Sequence, residues 1–276
     1  MTDAAVVPPP NPAAAPAVRI VELTKDYPGG TRALEGVTFE VPTGELTSLI
    51  GPSGCGKTTT LKIVAGLIPA TSGEVIVNGR PVTGPGPERA FVFQDFALLP
   101  WATVLRNAAF GLELRGVPKA EREARAREKI AKAGLTGFEN HYPHQLSGGM
   151  RQRVGLARAL AVDADILLMD EPFASVDEQI RRAFQEDLLR LLSEERKTVL
   201  FVTHSIEEAV YVSDQIVILT RGPGRVSSAV RPEIARDGSP DEIRRNQGYL
   251  DAVEAIWGEL RGYVEEDMRA PESAAT

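Results

Sequence analysis

The chain has 276 residues, of which 43% are hydrophobic and 25% charged, a composition typical of a globular protein with a sizeable core. The 31 Lys and Arg against 38 Asp and Glu give a net charge of −7, which argues against a protein built mainly to follow a nucleic-acid backbone. A single cysteine excludes an intramolecular disulfide. No apolar run approaches the ~20 residues of a membrane helix, and no signal-peptide pattern opens the chain, so we expect a soluble intracellular protein.

The predicted elements alternate between strands and helices. Residues 1–17, rich in Ala, Pro and Val, predict a disordered tail. Apolar or alternating runs predict strands over residues 18–20, 37–41, 46–50, 74–77, 91–93, 166–169, 198–202 and 216–219. Helical patterns cover residues 58–67, 119–132, 150–161, 178–192, 206–212 and 240–264. Residues 221–225 predict a hairpin turn. This alternation implies a mostly parallel sheet covered on both faces, and residues 101–145, which lack a strand signal, predict a helical insertion.

A phosphate-binding loop is predicted between the strand at 46–50 and the helix that follows it. Residues 51–58 read G-P-S-G-C-G-K-T and fit the pattern G-x-x-x-x-G-K-[ST]. Its glycines allow backbone N–H groups to converge on phosphate, and the helix N-terminus adds partial positive charge. Lys57 is expected to reach the β- and γ-phosphates, Thr58 to ligate Mg²⁺ and Thr59 to donate to the α-phosphate. Cys55 stands at a variable position and is expected to fill space.

A second chemical signal ends the strand at 166–169. Asp170 and Glu171 follow directly on this apolar run. Asp170 is placed to reach the Mg²⁺ shell through water, and Glu171 to polarise the water that attacks the γ-phosphate. An apolar run ending in two carboxylates is by itself only a strand meeting a loop, but with the phosphate loop it predicts a hydrolytic site.

Residues 146–149, L-S-G-G, predict a second anion site at a helix N-terminus. Taken alone, this tetrapeptide is an ordinary Ser-capped helix start. Two phosphate sites on one chain make sense for a single γ-phosphate only if a second copy presents its own site across an interface.

From about residue 18 to residue 219 the chain resembles the nucleotide-binding subunit of ABC transporters, because every motif appears in that family's order. The resemblance implies an α/β fold: a P-loop NTPase core with a mostly parallel central sheet, an antiparallel β subdomain and an α-helical subdomain over about residues 96–160. It places the ATPase domain at residues 18–227 and leaves residues 228–276 as a C-terminal extension.

The resemblance also implies roles that the residues alone do not give. Tyr27 would stack on adenine, Gln94 would join Mg²⁺ and sense the permease, and His204 would contact the γ-phosphate beside Lys57 and Glu171. The residues implied to bind ATP are Tyr27, Gly51, Ser53, Gly54, Cys55, Gly56, Lys57, Thr58, Thr59, Ser147, Gly148, Gly149 and Asp177. The last four of these would act across the dimer interface. Thr58, Gln94 and Asp170 would bind the metal. Two departures stand out: Met150 replaces the usual glutamine, and residues 174–177 read A-S-V-D instead of S-A-L-D.

The sequence of residues 146–154 and 169–173 is most similar to that of the nitrate, sulfonate and taurine importer branch of this family. That similarity implies an ATP hydrolase, peripheral on the cytoplasmic side of the inner membrane. Its partners would be a second copy, two permease subunits and, indirectly, an extracytoplasmic solute-binding protein, with no nucleic acid. Alternatives are an importer for another substrate class, a soluble ABC ATPase acting on nucleic acid or ribosomes, and a phosphate-loop kinase. Salt-dependent nucleic-acid binding would favour the second of these, and phosphoryl transfer to a small acceptor the third.

Overall fold

The computed structural model describes residues 15–174, 178–236 and 238–269, with the backbone alone for residues 178–180 and 264–269. Most of the predicted tail, together with Asp177, therefore lies outside the described residues. The end of the predicted tail belongs to the packed chain: Ala17 is buried, and its carbonyl accepts a 2.9 Å hydrogen bond from the Asn78 backbone N–H.

The described chain contains strands and helices in alternation. The strands are β1 (Val18–Asp26), β2 (Arg32–Val41), β3 (Leu46–Ile50), β4 (Ser72–Val77), β5 (Arg80–Pro81), β6 (Arg89–Val92), β7 (Ile166–Asp170), β8 (Thr198–Val202), β9 (Gln215–Leu219) and β10 (Val226–Val230). The helices are α1 (Lys57–Val64), α2 (Val104–Leu114), α3 (Lys119–Lys132), α4 (Gly148–Ala161), α5 (Glu178–Glu195), α6 (Ile206–Val212), α7 (Pro240–Arg245) and α8 (Gln247–Arg269). No helix among the described residues combines the length and the apolar character needed to cross a bilayer.

A six-stranded sheet in the order β10-β9-β3-β8-β7-β6 forms the centre of the fold. All its neighbours are parallel except β10, which pairs antiparallel with β9. Every residue of β3, β7 and β8 is buried, and this burial on both faces explains why β7 and β8 are largely apolar and do not alternate. Helices α4, α5, α6 and α8 contribute to the apolar core on one face of the sheet. The predicted α/β class with a mostly parallel central sheet is confirmed.

A second, antiparallel sheet in the order β2-β1-β4-β5 belongs to the core on the other face. Its strands show the expected alternation, with Val37, Phe39 and Val41 of β2 turned inward. They share this core with Leu61 and Val64 of α1. The helix α1 is thereby enclosed by two sheets, which fixes the loop that precedes it.

Helices α2, α3 and part of α4 pack around a small core of their own. Helix α3 occupies the residues predicted for it, and its inward face consists of Ala126 and Ile130. This cluster includes Val154 and Ala157 of α4, while Leu156 and Ala159 on another side of α4 belong to the core of the central sheet. The helix α4 therefore joins the helical insertion to the sheet.

Two predictions at the ends of elements are wrong. The helix expected over 58–67 ends at Val64, because Gly66 adopts φ +75° and a Cβ there would lie 2.1 Å from the Gly84 carbonyl oxygen. The single helix expected over 240–264 is two helices, broken at Asn246 by an extended backbone. Strand β10 (Val226–Val230) was not predicted, and the domain boundary expected between residues 227 and 228 stays a prediction.

Candidate active site

The site forms where three neighbouring parallel strands end. Strands β3, β8 and β7 are adjacent in the sheet, so the segments that follow them meet at one edge. Residues 51–56 follow β3, residues 203–205 follow β8, and Glu171 follows β7. A cleft of about 490 Å³ lies there, lined by Tyr27, Thr31, Arg32, Ala33, Ser53, Gly54, Cys55, Gly56, Lys57, Thr58, Thr59, Glu171 and His204.

The loop over residues 51–56 depends on glycine for two different reasons. Gly56 has φ +92°, and a Cβ there would lie 2.4 Å from Leu34 Cδ2. Gly54 has φ +75° but faces open space, so only its backbone conformation requires glycine. The loop enters α1 at Lys57, and the first backbone N–H groups of that helix have no partners within it. The loop and the first N–H groups of α1 together form a concave site that can bind an anion.

Lys57 is buried apart from about 7% of its surface. Its ammonium donates hydrogen bonds to the carbonyl oxygens of Gly51 at 2.8 Å and Pro52 at 2.9 Å, which hold the charge inside the loop. Cys55 is fully buried beneath it, and burial raises the pKa of that thiol. The thiol is therefore neutral at physiological pH.

Thr58 and Asp170 form a pair of oxygen donors. The Thr58 hydroxyl donates a 2.9 Å hydrogen bond to Asp170 Oδ1. Burial raises the pKa of Asp170, and the hydrogen bond from Thr58 offsets part of that increase. Hard oxygen donors of this kind suit Mg²⁺, which takes one or two protein ligands and completes its shell with water and phosphate oxygens. Among the described residues, no group of three or more His, Cys, Asp or Glu that could hold a metal ion is found.

Glu171 and His204 face each other across the cleft. The Glu171 backbone lies at φ +44°, in the left-handed region, and its N–H donates to the Val202 carbonyl oxygen at 2.9 Å. This bond connects the end of β7 to β8, and the Glu171 side chain points towards the loop that follows β8. Glu171 Oε2 lies 3.1 Å from His204 Nδ1, although the two residues are 33 positions apart. A carboxylate and an imidazole at this distance can hold and move a proton.

The antiparallel sheet contributes an aromatic wall to the cleft. Tyr27, directly after β1, is half-exposed, and its hydroxyl lies 3.2 Å from Thr59 Oγ1. Arg32, at the start of β2, was not predicted but also lines the cleft. Its guanidinium donates to Asp26 Oδ1 at 2.8 Å, and this bond raises the pKa of Arg32 and lowers that of Asp26. The sequence signal that could have identified Arg32 is a cation shortly after the predicted turn at residues 27–30.

Other predicted site residues do not line this cleft. Gln94 is exposed, two positions beyond the end of β6. Ser147 caps α4, its hydroxyl oxygen accepting a 3.3 Å hydrogen bond from the Met150 N–H, and neither it nor Gly148 or Gly149 lines the cleft. The cleft of one chain therefore does not include its own second anion site.

Comparison with known proteins matches the chain to a described family and to named relatives. The sequence profile described as "ABC transporter" matches residues 34–174. The protein named taurine import ATP-binding protein TauB of Chromobacterium violaceum is 50% identical over 211 residues, which is 76% of this chain and 81% of that protein. The protein of the same name from Escherichia coli strain K12 is 47% identical over 219 residues, covering 79% of this chain and 86% of that protein.

Among solved structures, a dimeric ATP-binding cassette in a post-hydrolysis state bound to ADP and Pi superposes with a TM-score of 0.70. It is 35% identical in sequence, and the match covers 78% of this chain and 98% of that one.

Proposed function

The chain belongs to the ABC transporter family, and we propose that it is the ATP-hydrolysing subunit of an importer for small sulfonates such as taurine. The observation that carries the substrate class is the 47–50% identity, over more than three quarters of the chain, to relatives named for taurine import. The cleft supports the chemistry, since it joins a phosphate loop, a pair of metal-type oxygen donors and a carboxylate beside an imidazole.

In the proposed reaction, the N–H groups of the loop and the ammonium of Lys57 bind the phosphates of ATP. Thr58, Asp170 and Gln94 would hold Mg²⁺ through their side-chain oxygens. When bound, the metal neutralises negative charge on the phosphate oxygens. Glu171 accepts the proton of the attacking water, so that an O–H bond breaks as the new bond to the γ-phosphorus forms and ADP leaves.

The surroundings of the reacting atoms have supporting roles. His204 holds the Glu171 carboxylate through Nδ1 and stabilises charge that develops on the γ-phosphate. Tyr27 offers a half-exposed ring to the adenine. Because Cys55 is buried and neutral, it supports the loop and takes no part in the chemistry.

The remaining phosphate contacts are proposed to come from a second copy. Ser147, Gly148 and Gly149 of one subunit would face the nucleotide bound in the cleft of the other, together with Asp177. The absence of Ser147, Gly148 and Gly149 from the lining of their own cleft supports this arrangement, as does the dimeric state of the solved relative. Hydrolysis would then release the closed dimer, because γ-phosphate contacts hold the two copies together.

Docking to two permease subunits is proposed for the helical subdomain, about residues 96–160, near Gln94. An exposed apolar side chain supports this choice: Trp101, close to the start of α2, leaves 70% of its surface uncovered. The protein would then work as a peripheral subunit on the cytoplasmic side of the inner membrane, with the solute-binding protein on the opposite side. The C-terminal residues 228–276 have no assigned role in this mechanism.

Uptake measurements test the proposal. Deleting the gene for this chain in its source organism should abolish uptake of radiolabelled taurine, and the wild-type gene should restore it. Lys57→Ala should not restore it, because the variant lacks the ammonium inside the phosphate loop. Arg245→Ala is the control, since it removes an exposed cation on α7, outside the helical subdomain, and should restore uptake fully. Loss of nitrate uptake with taurine uptake intact would overturn the substrate class, and unchanged uptake of both would overturn import of this branch.

A further inference from the structure

The loop that bears His204 is held from beneath by a buried carboxylate, Glu208. The Thr203 hydroxyl donates a 2.6 Å hydrogen bond to Glu208 Oε2 and accepts one of 3.0 Å from the Ser205 N–H. The Glu208 N–H in turn donates to Ser205 Oγ at 3.2 Å. Both Thr203 and Glu208 are buried, whereas the His204 side chain is 62% exposed. The residues on each side of the imidazole are therefore fixed by one network that ends on Glu208.

The other oxygen of the same carboxylate faces a different element. Glu208 Oε1 lies 3.7 Å from Arg181 Nε in the first turn of α5. Helix α5 begins immediately after Asp177, the residue for which we propose a role at the dimer interface. Glu208 thus contacts the His204 loop with one oxygen and the start of α5 with the other.

Burying a carboxylate costs desolvation free energy, so a buried carboxylate is expected where neighbouring groups interact with its charge. Capping of α6 does not require it here. Ser205 already caps this helix, and the exposed Glu207 supplies a carboxylate in the first turn, accepting a 3.1 Å hydrogen bond from Ser205 Oγ. The two adjacent glutamates therefore differ in burial and in contacts, since Glu208 is buried and it alone of the two reaches Thr203 and Arg181.

We propose that Glu208 is a positioning residue for ATP hydrolysis, which fixes the His204 loop so that the imidazole meets Glu171 and which joins this loop to the start of α5. The inference rests on the hydrolytic role proposed above. An exposed imidazole has little packing of its own, so its position depends on the backbone that carries it. A displacement of about 1 Å at a reacting group can cost on the order of 100-fold in rate.

Kinetics of the full-length chain test the proposal with a matched pair of variants. Glu208→Gln should lower kcat by about 10- to 100-fold and leave ATP affinity nearly unchanged, because the phosphate loop is untouched. Glu207→Gln removes the same charge one position away and should keep wild-type kcat. In a His204→Ala background, Glu208→Gln should cost little more, since both substitutions act through the same imidazole. A full, multiplicative loss in that background would overturn the proposal and make Glu208 a general structural residue.

Imidazole NMR provides a readout that does not depend on activity. The chain has only three histidines, so ¹⁵N signals of His204 are identified by their absence in His204→Ala. Glu208→Gln should shift the His204 signals and leave the other two histidines in place. Thr203→Val, which removes the hydroxyl and keeps the side-chain volume, should produce the same shift if Glu208→Gln fails to fold. Unchanged His204 signals in a folded variant would overturn the inference, whereas a wild-type chain without ATPase activity would overturn the proposed function instead.

Discussion

Replacing Glu171 by glutamine separates its proposed chemical role from its structural one. Glutamine has the same Cβ and nearly the same shape, so the left-handed backbone at φ +44° is equally strained in both proteins. The contact with His204 Nδ1 lies at the surface, and exposed pairs of this kind contribute about 0–1 kcal/mol. The free energy of unfolding should therefore change by less than about 1 kcal/mol.

The effect on turnover should be far larger. Glutamine cannot accept the proton of the attacking water, and loss of a general base costs about 10²- to 10⁴-fold. At 1.36 kcal/mol per factor of ten, this corresponds to about 2.7–5.5 kcal/mol in the activation free energy. ATP should still bind, and dimers should accumulate because the γ-phosphate is not removed.

Four measurements check this prediction on one preparation. Phosphate release at saturating ATP and Mg²⁺ gives kcat, equilibrium nucleotide binding gives Kd, light scattering gives the dimer fraction, and thermal denaturation gives Tm. Glu207→Gln serves as the control for removal of a carboxylate near the cleft. Phosphate release by Glu171→Gln at the wild-type rate would refute the assignment of the base, and so would a loss of turnover explained entirely by a lower Tm.

Three further predictions follow from the site and the core. Tyr27→Ala should raise the KM for ATP about tenfold, from the lost stacking, whereas Tyr27→Phe keeps the ring and should stay close to wild type; initial rates across ATP concentrations distinguish them. Asp170→Asn should raise Tm at pH 7, because burial raises the pKa of this carboxyl and its ionised form therefore destabilises the folded protein. The gain in Tm should shrink towards pH 4, as the wild-type carboxylate takes up a proton. Thermal denaturation of both proteins at several pH values would show this trend. Gln152→Met should raise the free energy of unfolding by about 1–2 kcal/mol, because both amide atoms of the fully buried Gln152 lack a hydrogen-bond partner among the described residues; a lower urea midpoint would contradict this.

Local sequence was sufficient to predict the parts of the site that are contiguous in the chain. The loop at residues 51–58 is identified by its glycine spacing, since close approach to phosphate restricts these positions whatever the rest of the fold does. Asp170 and Glu171 are identified by the fully apolar strand before them, which is buried on both faces. For Tyr27, Gln94 and His204 the residues alone gave no signal, and only the resemblance to a known family suggested them.

The boundaries of elements depended on contacts that no local pattern records. Strand β10 has the sequence V-S-S-A-V, which is weakly apolar, and it forms because it pairs with β9. Ser227 and Ser228 also donate hydrogen bonds to the Glu259 carboxylate of α8, at 2.6 and 2.8 Å. Hydrophobic periodicity in the sequence cannot detect a strand that is stabilised by pairing at the sheet edge and by a helix about 30 residues later.

By itself, then, the sequence determined the fold class and the two contiguous motifs, because hydrophobic period and glycine spacing act over a few residues. Tertiary structure alone decided which distant groups meet. It placed Glu171 within 3.1 Å of His204, brought Tyr27 to Thr59, and buried Glu208 between the His204 loop and Arg181. The order of strands in the sheet sets these distances, and that order is fixed by packing between elements far apart in the chain.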